Sequence, residues 1–472
     1  PDLTLKKSKS LTHTYSVLCK SSEKMVCSSA TQKGTNIDDL VFYDFDVKLI
    51  ATEQNIKYTV DNKEYEFCVP AINQSLEILY MSCNDVYQKS VWDAISQQHK
   101  TKKYNLAIGG GDQLYMDGVW DIPCMKKWKD LNISQKLTAV VTPAMFVEIT
   151  KFYKTTYENK WFNSPEYVNV LPNIPAIYMW DDHEIFDGYG SYPENVMSSN
   201  IVKSLYKIAR RSFMIYQLHM LPNDLNANLT SFFEINNTLI VNIDTRTERS
   251  CNRILSAATR DMIFKTMDST SASNVVVLIS TALAFYNIDK AHTLVSYLPS
   301  IPRLSILNAL PIFKKLYNVF GLSEYSDDII DGWCDKNHEL ETNEFVNKLM
   351  ELKTTKKKNI AILVGDVHIG GDAVIEKGGV KIPQYISSGV GSITTRTVFD
   401  CMKNTLSGER VSGGIKYLFD KNTAIFDYNW GRVRIDSNNI IFFHHTGKET
   451  KDVVFFTPLD ILNADLKGFI NP

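Results

Sequence analysis

Ile174-Pro175-Ala176-Ile177-Tyr178-Met179 runs directly into Trp180-Asp181-Asp182-His183-Glu184. The apolar run is too short and too β-rich for a helix and reads as a strand. Four ionisable groups stand at its carboxyl end. Crowded at a strand end, they repel one another and call for a cation, unless Asp181 and Glu184 are simply solvated and His183 packed. Gly188-Tyr189-Gly190-Ser191-Tyr192-Pro193 comes next as a loop able to rim a site.

The pattern recurs along the chain. Asn105 to Ile108 leads into Gly109-Gly110-Gly111-Asp112-Gln113-Leu114-Tyr115, and Ile360 to Val364 leads into Gly365-Asp366-Val367-His368. Leu76 to Met81 precedes Ser82-Cys83-Asn84-Asp85, and Leu239 to Ile243 precedes Asp244-Thr245-Arg246-Thr247-Glu248-Arg249. In an open α/β sheet, groups just past the carboxyl ends of strands converge on one crevice. Hard carboxylate oxygens with imidazole nitrogen suit catalytic cations, and a thiolate among them selects a softer or trivalent metal. The three glycines before Asp112 allow a close backbone approach or a plain capped turn. Tyr115 lies within a turn of Asp112, and Asp117 either joins the same ion or caps the next segment of chain. Asp366 and His368, two apart, share one side of an extended segment. Cys83 alone reads equally as a small buried hydrophobe. Arg246 and Arg249 have the fork geometry to hold a phosphate, while Asp244 serves as well in a bracing Asp–Arg network.

Between the strand candidates lie helical stretches, the clearest from Ile201 to Met220 with apolar residues at 201, 205, 208 and 215. This alternation predicts a layered α/β domain with largely parallel strands. Residues 1–74 differ. Val41 to Ile50 alternates, and Ile56 to Val69 reads as a hairpin about Asp61-Asn62-Lys63, so a small N-terminal β module resembling part of a sandwich is expected. Residues 75–472 then form the larger domain, returning to strands at Arg432 to Ile435 and Ile440 to Phe443. His444 and His445 read as ordinary strand residues.

The 472 residues carry 44% apolar and 22% charged side chains, the balance of a globular protein. A net charge of −2 gives no global attraction to nucleic acid or anionic membrane, so an anionic substrate must be held locally. No apolar stretch reaches spanning length, since Val275 to Phe285 already contains Ser280 and Thr281. The 8 cysteines form no CxxC pair and fit reduced thiols. With no apolar signal segment in the first residues, an intracellular location is expected.

Taken in order, Ser82-Cys83, Gly111 to Tyr115, Trp180 to Glu184, Asp244-Thr245-Arg246 with Arg249, and Gly365 to His368 resemble the PhoD-like metallophosphatases. These are a branch of the calcineurin-like phosphoesterase superfamily, and Met179 to Pro193 is especially similar to the eukaryotic-type branch. The resemblance implies a four-layer α/β/β/α metallophosphoesterase core and a site of two or more metal ions. Asp112 would bridge them, and Asp181 would belong to the same ligand cluster. Asp182 stands where the superfamily commonly has Asn, and Asp366 with His368 where it has His-x-His. Cys83 and Tyr115 match positions that ligate ferric iron, so iron plus calcium or another divalent ion (Mn, Zn or Mg) is implied. His183 falls at the position that assists the transferred phosphoryl group, with Arg246 and Arg249 as orienting groups. The superfamily's further ligand His has no counterpart in Val275 to Phe285. The implied activity is hydrolysis of a small phosphate ester, monoester or diester, by a metal-activated water. A scaffold that has lost turnover, or a nuclease or cyclic-nucleotide hydrolase, would use the same fold.

Overall fold

A computed structural model describes residues 1–9, 11–287, 319–320, 331–394, 400, 403–404, 406–437 and 439–447. Two large sheets face each other. In the first, nine strands run in the order Ile440–Thr446, Asn429–Ile435, Leu76–Met81, Leu106–Gly110, Ala176–Met179, Asp2–Lys9, Thr12–Lys20, Leu40–Lys48 and Gln32–Ile37. In the second, the order is Ser231–Ile235, Thr238–Asn242, Asn274–Ile279, Asn359–Val364, Val380–Ser387, Gly370–Lys377, Ile415–Phe419 and Glu409–Ser412. The central strands of each are parallel: Leu76–Met81 with Leu106–Gly110 and Ala176–Met179 in one, Thr238–Asn242 through Asn274–Ile279 and Asn359–Val364 to Val380–Ser387 in the other.

The period of two along the strands builds the layers. Ile78 and Tyr80 point into an apolar core between the sheets with Ile108, Ile177, Val276, Leu278 and Leu363. Leu79 and Met81 point outward and pack with Trp92, Ile95, Tyr153, Trp161 and Leu205 from the helices Lys89–Thr101, Pro143–Asn163 and Asn200–Tyr216. On the far side Val275, Val277, Ile360 and Ile362 pack with Ile263, Phe345 and Leu349 from the helices Ala257–Ser269 and Glu339–Thr355. The architecture is the four-layer α/β/β/α core.

The helix expected over Ile201 to Met220 stops at Tyr216. His219 has φ 49°, which ends the helix, and its buried ring is fixed by Asp2 Oδ2 at 3.2 Å and Thr4 Oγ1 at 3.1 Å. Asp61 and Asn62, with φ 46° and 67°, form the two-residue turn between Gln54–Val60 and Lys63–Val69. That hairpin and Met25–Cys27 form a three-stranded sheet whose Tyr58 and Phe67 pack on Tyr15 and Phe45. The N-terminal residues thus pack as part of a sandwich, but one layer of it is the nine-stranded sheet itself, because Asp2–Lys9 pairs in parallel with Ala176–Met179.

This continuity sets an expectation for truncation. A chain beginning near Ala71 would leave Ala176–Met179 as a bare edge and His219 without its buried carboxylate. It is expected to be insoluble or to elute as aggregate in size-exclusion chromatography. A monomeric product with an intact circular dichroism spectrum would show that residues 1–70 are separable.

Candidate metal centre

Seven strand ends converge at the mouth between the sheets. From the first sheet come Cys83, Asp112 and the Asp181–Glu184 cluster; from the second come Asp244 to Arg249, Ser280, Asp366 to His368 and Ser388. The loops are joined by backbone. Cys83 N donates to Gly111 O at 3.3 Å, Asn84 N to Asp112 O at 2.7 Å, and Gly391 N to Cys83 O at 3.0 Å. Asp366 N donates to Ser82 Oγ at 3.4 Å across the two sheets. A Cβ on Gly365 would collide with Ser82 Oγ and sit 2.8 Å from Gly110 O, so only glycine permits this approach.

Cys83, Asp112, Asp366 and His368 have φ of 55°, 54°, 69° and 55°. Left-handed backbone at side-chain-bearing residues is uncommon and gathers at functional sites, where surrounding contacts hold it in place. Here it turns each side chain into the crevice directly after its strand.

Asp112, Asp181, Asp182 and Asp366 bring carboxylate oxygens within 4.8 Å of one another. Burial, Cys83 and Asp181 push the Asp112 carboxyl well above its ordinary range, and burial with Asp181 and Asp182 does the same to Asp366. Asp181 rises to about 6, burial outweighing Arg246. Asp112 Oδ1 and Asp181 Oδ2 are buried with no hydrogen-bond donor. Cys83 Sγ lies 3.5 Å from Asp112 Oδ2 and 3.0 Å from Ser388 Oγ, and burial pushes its thiol up to about 12. Tyr115 Oη is 3.0 Å from His368 Nε2 and reaches the Cys83 thiol. Burial lowers His368 to about 4, which keeps the imidazole neutral and able to ligate. Orphaned carboxylate oxygens, a neutral imidazole, a thiol and a phenol fit a cation centre. The donor set expected from sequence is thereby brought together at one place.

Glu184, for which the sequence allowed a solvated position, is fully buried. Its carboxylate accepts from Asp112 N at 3.0 Å, Gln113 N at 2.7 Å, Asp181 N at 2.8 Å and Gln217 Nε2 at 3.3 Å. Asp117 is the partner of His183, its Oδ2 2.7 Å from Nδ1, and its Oδ1 accepts Asp187 N at 2.7 Å. Burial opposes a charged imidazole, but Asp117, Asp182 and Asp112 hold His183 well above its ordinary pKa. Asp182, His183 and Asp187 also gather within 4.8 Å, so His183 has a ligand arrangement within reach as well.

The two arginines part company. Arg246 donates through Nε to Asp181, through Nη1 to Tyr189 O and Asp331, and through Nη2 to Asp182 and Asp331. All five of its N–H bonds have protein acceptors, leaving none for a substrate oxygen. Arg249 has an ion pair with Asp331, 3.0 Å from Nε, but Nε, Nη1 and Nη2 are all buried without a hydrogen-bond acceptor. Asp244 braces the turn instead, accepting Trp180 Nε1 at 2.8 Å and Arg246 N at 3.0 Å. His444 and His445 stand in the strand Ile440–Thr446, His444 against Asp372 at 2.8 Å, away from the cluster. The cysteines among the described residues are free thiols.

The family described as PhoD related phosphatase matches residues 86–303. The solved structure of PhoD superposes with a TM-score of 0.60 at 14% identity, over 94% of this chain and 85% of that one. The chain shares the fold of PhoD. An uncharacterized Saccharomyces cerevisiae protein, YGR266W, is 26% identical over 392 residues, which are 70% of this chain and 56% of the yeast protein. The chain therefore spans little more than half the length of that relative. Among the described residues no helix is long and apolar enough to cross a membrane.

Arg246 is the stability test of this centre. Arg246→Ala would strand Asp181, Asp182 and Asp331 as buried charges, and loss of one partner of such a network costs about 3–5 kcal/mol. Arg246→Lys should recover little, because one ammonium cannot serve five directions. Denaturant melts of the two variants check this; a full recovery by Lys would show that only charge matters.

Proposed function

We propose that the protein hydrolyses small phosphate esters at a centre of two or more metal ions. The observation that carries this reading is the set of four buried carboxylates within 4.8 Å, two with orphaned oxygens, beside a neutral His368 and a charged His183. Asp112 would be shared between cations, with Asp181, Asp182, Asp366 and His368 as the further ligands. Cys83 and Tyr115 favour iron at one position, and the all-oxygen remainder favours calcium or another hard divalent ion. Bound cations supply Lewis acidity, withdrawing charge from phosphoryl oxygens and making water a competent nucleophile near neutral pH.

The chain's own residues supply the rest. His183 turns Nδ1 to Asp117, which leaves Nε2–H as the proton for the departing ester oxygen when the P–O bond breaks. Asp117 fixes the orientation of the ring and keeps it charged. Arg249 offers unpartnered Nη groups to non-bridging oxygens, while Arg246 holds Asp181 and Asp182 in place.

Asp112→Asn is expected to release metal and turnover together. His183→Ala should keep metal and lose about 10²–10⁴-fold in rate, less for esters with good leaving groups. If His183→Ala strips the metal as thoroughly, His183 is a ligand with Asp182 and Asp187, and the acid assignment fails. Chromogenic mono- and diesters with elemental analysis provide both readouts.

Asp117→Asn tests the pair by pH. Asp117 raises the His183 pKa, so its loss lowers it. A required acid is lost as pH rises through its pKa, and the alkaline limb of kcat should therefore move to lower pH. An unmoved limb would remove His183 from proton transfer.

A further inference from the structure

Asp331 stands outside every motif that marks the centre, 85 residues along the chain from Arg246. It is 5% exposed and meets both arginines. Oδ1 accepts Arg246 Nη1 at 2.7 Å and Oδ2 accepts Nη2 at 2.6 Å, a two-pronged pair, while Arg249 Nε lies 3.0 Å from Oδ1. Arg246 is thereby saturated. Arg249 meets Asp331 only as an ion pair at Nε. Its Nε, Nη1 and Nη2 are all buried without a hydrogen-bond acceptor, within electrostatic range of Asp181 and Asp366. Gly190 closes the other side: a Cβ there would lie 2.7 Å from Arg249 Cγ, so the arginine's stem is pinned against the Gly188–Pro193 loop. A buried guanidinium whose nitrogens lack acceptors is costly unless an anion completes it.

We propose that Asp331 is the positioning residue of the centre, holding the Arg249 guanidinium by the ion pair at Nε so that its two Nη groups face an incoming phosphate. Asp331 touches no reacting atom and acts through Arg249, while its pair with Arg246 keeps that second arginine turned toward Asp181 and Asp182. The inference rests on the phosphate-ester reading for its ligand but not on turnover.

The test is a double-mutant cycle on the full, metal-replete chain, with inorganic phosphate as the probe. Calorimetry gives phosphate affinity, and metal content and melting are measured on each protein. Arg249→Gln and Asp331→Asn are each expected to weaken phosphate binding about 10–100-fold, as loss of a charge-assisted hydrogen bond does. Asp331→Asn should add little in the Arg249→Gln background, with metal content unchanged. Asp331→Glu, which keeps the charge, should recover part of the affinity, and it carries the test if Asp331→Asn does not fold. Additive losses, or unaltered phosphate affinity in Asp331→Asn, overturn the proposal. If the wild-type chain binds phosphate with this pattern yet cleaves no ester, the hydrolytic reading fails and the role of Asp331 stands. If it binds no phosphate, the role of Asp331 falls too.

Discussion

One buried carboxylate holds the centre in register. Glu184 accepts three backbone N–H groups, from Asp112, Gln113 and Asp181, together with the Gln217 amide. Two of these backbone groups belong to the loop after Leu106–Gly110 and one to the loop after Ala176–Met179, so a single side chain fixes their spacing. Each buried N–H left without an acceptor costs about 1–3 kcal/mol, and loops turned this sharply have no ladder partner to supply one. Burial raises the Glu184 carboxyl to about 7 while the N–H bonds from Asp181 and Gln113 pull it down. The strap is thus sound only where all its donors are present.

Around that strap the protein concentrates charge that ordinary packing would avoid. Carboxylates are gathered at the ends of parallel strands, and left-handed backbone at Asp112 and Asp366 aims them at one point. Arg246 offsets part of the repulsion with its five hydrogen bonds, but Asp112 and Asp366 remain far above their usual pKa. A fold that tolerates this unbalanced cluster is arranged for a cation. The neutral His368 and charged His183 both lie near Tyr115, its ring centroid 6.4 Å and 4.0 Å away, and the proposed function makes one a ligand and the other a proton donor.

Much of this was legible in the chain. Strand runs ending in Asp, His or Cys are short-range signals, and each of Cys83, Asp112, Tyr115, Asp181, Asp182, Asp366 and His368 lies at the mouth they predicted. The four layers agree with strands alternating with helices. What escaped was everything set by distance. Glu184 could pass for solvent-facing because most of the donors that require it are on other segments. Asp331 carries no local pattern, and only the tertiary fold reveals that it separates the roles of Arg246 and Arg249. The N-terminal strands read correctly as β, but no local feature says that Asp2–Lys9 inserts beside Ala176–Met179.

The central claim is that Glu184 gathers these carboxylates into a cation centre. Elemental analysis of the unchelated, purified chain beside Glu184→Gln tests it most directly. The account predicts about two ions per wild-type chain and a marked loss in Glu184→Gln, whose amide cannot accept all four N–H groups without turning its own donors on them. Wild-type protein without metal, or a Glu184→Gln variant that keeps the full complement, would contradict it.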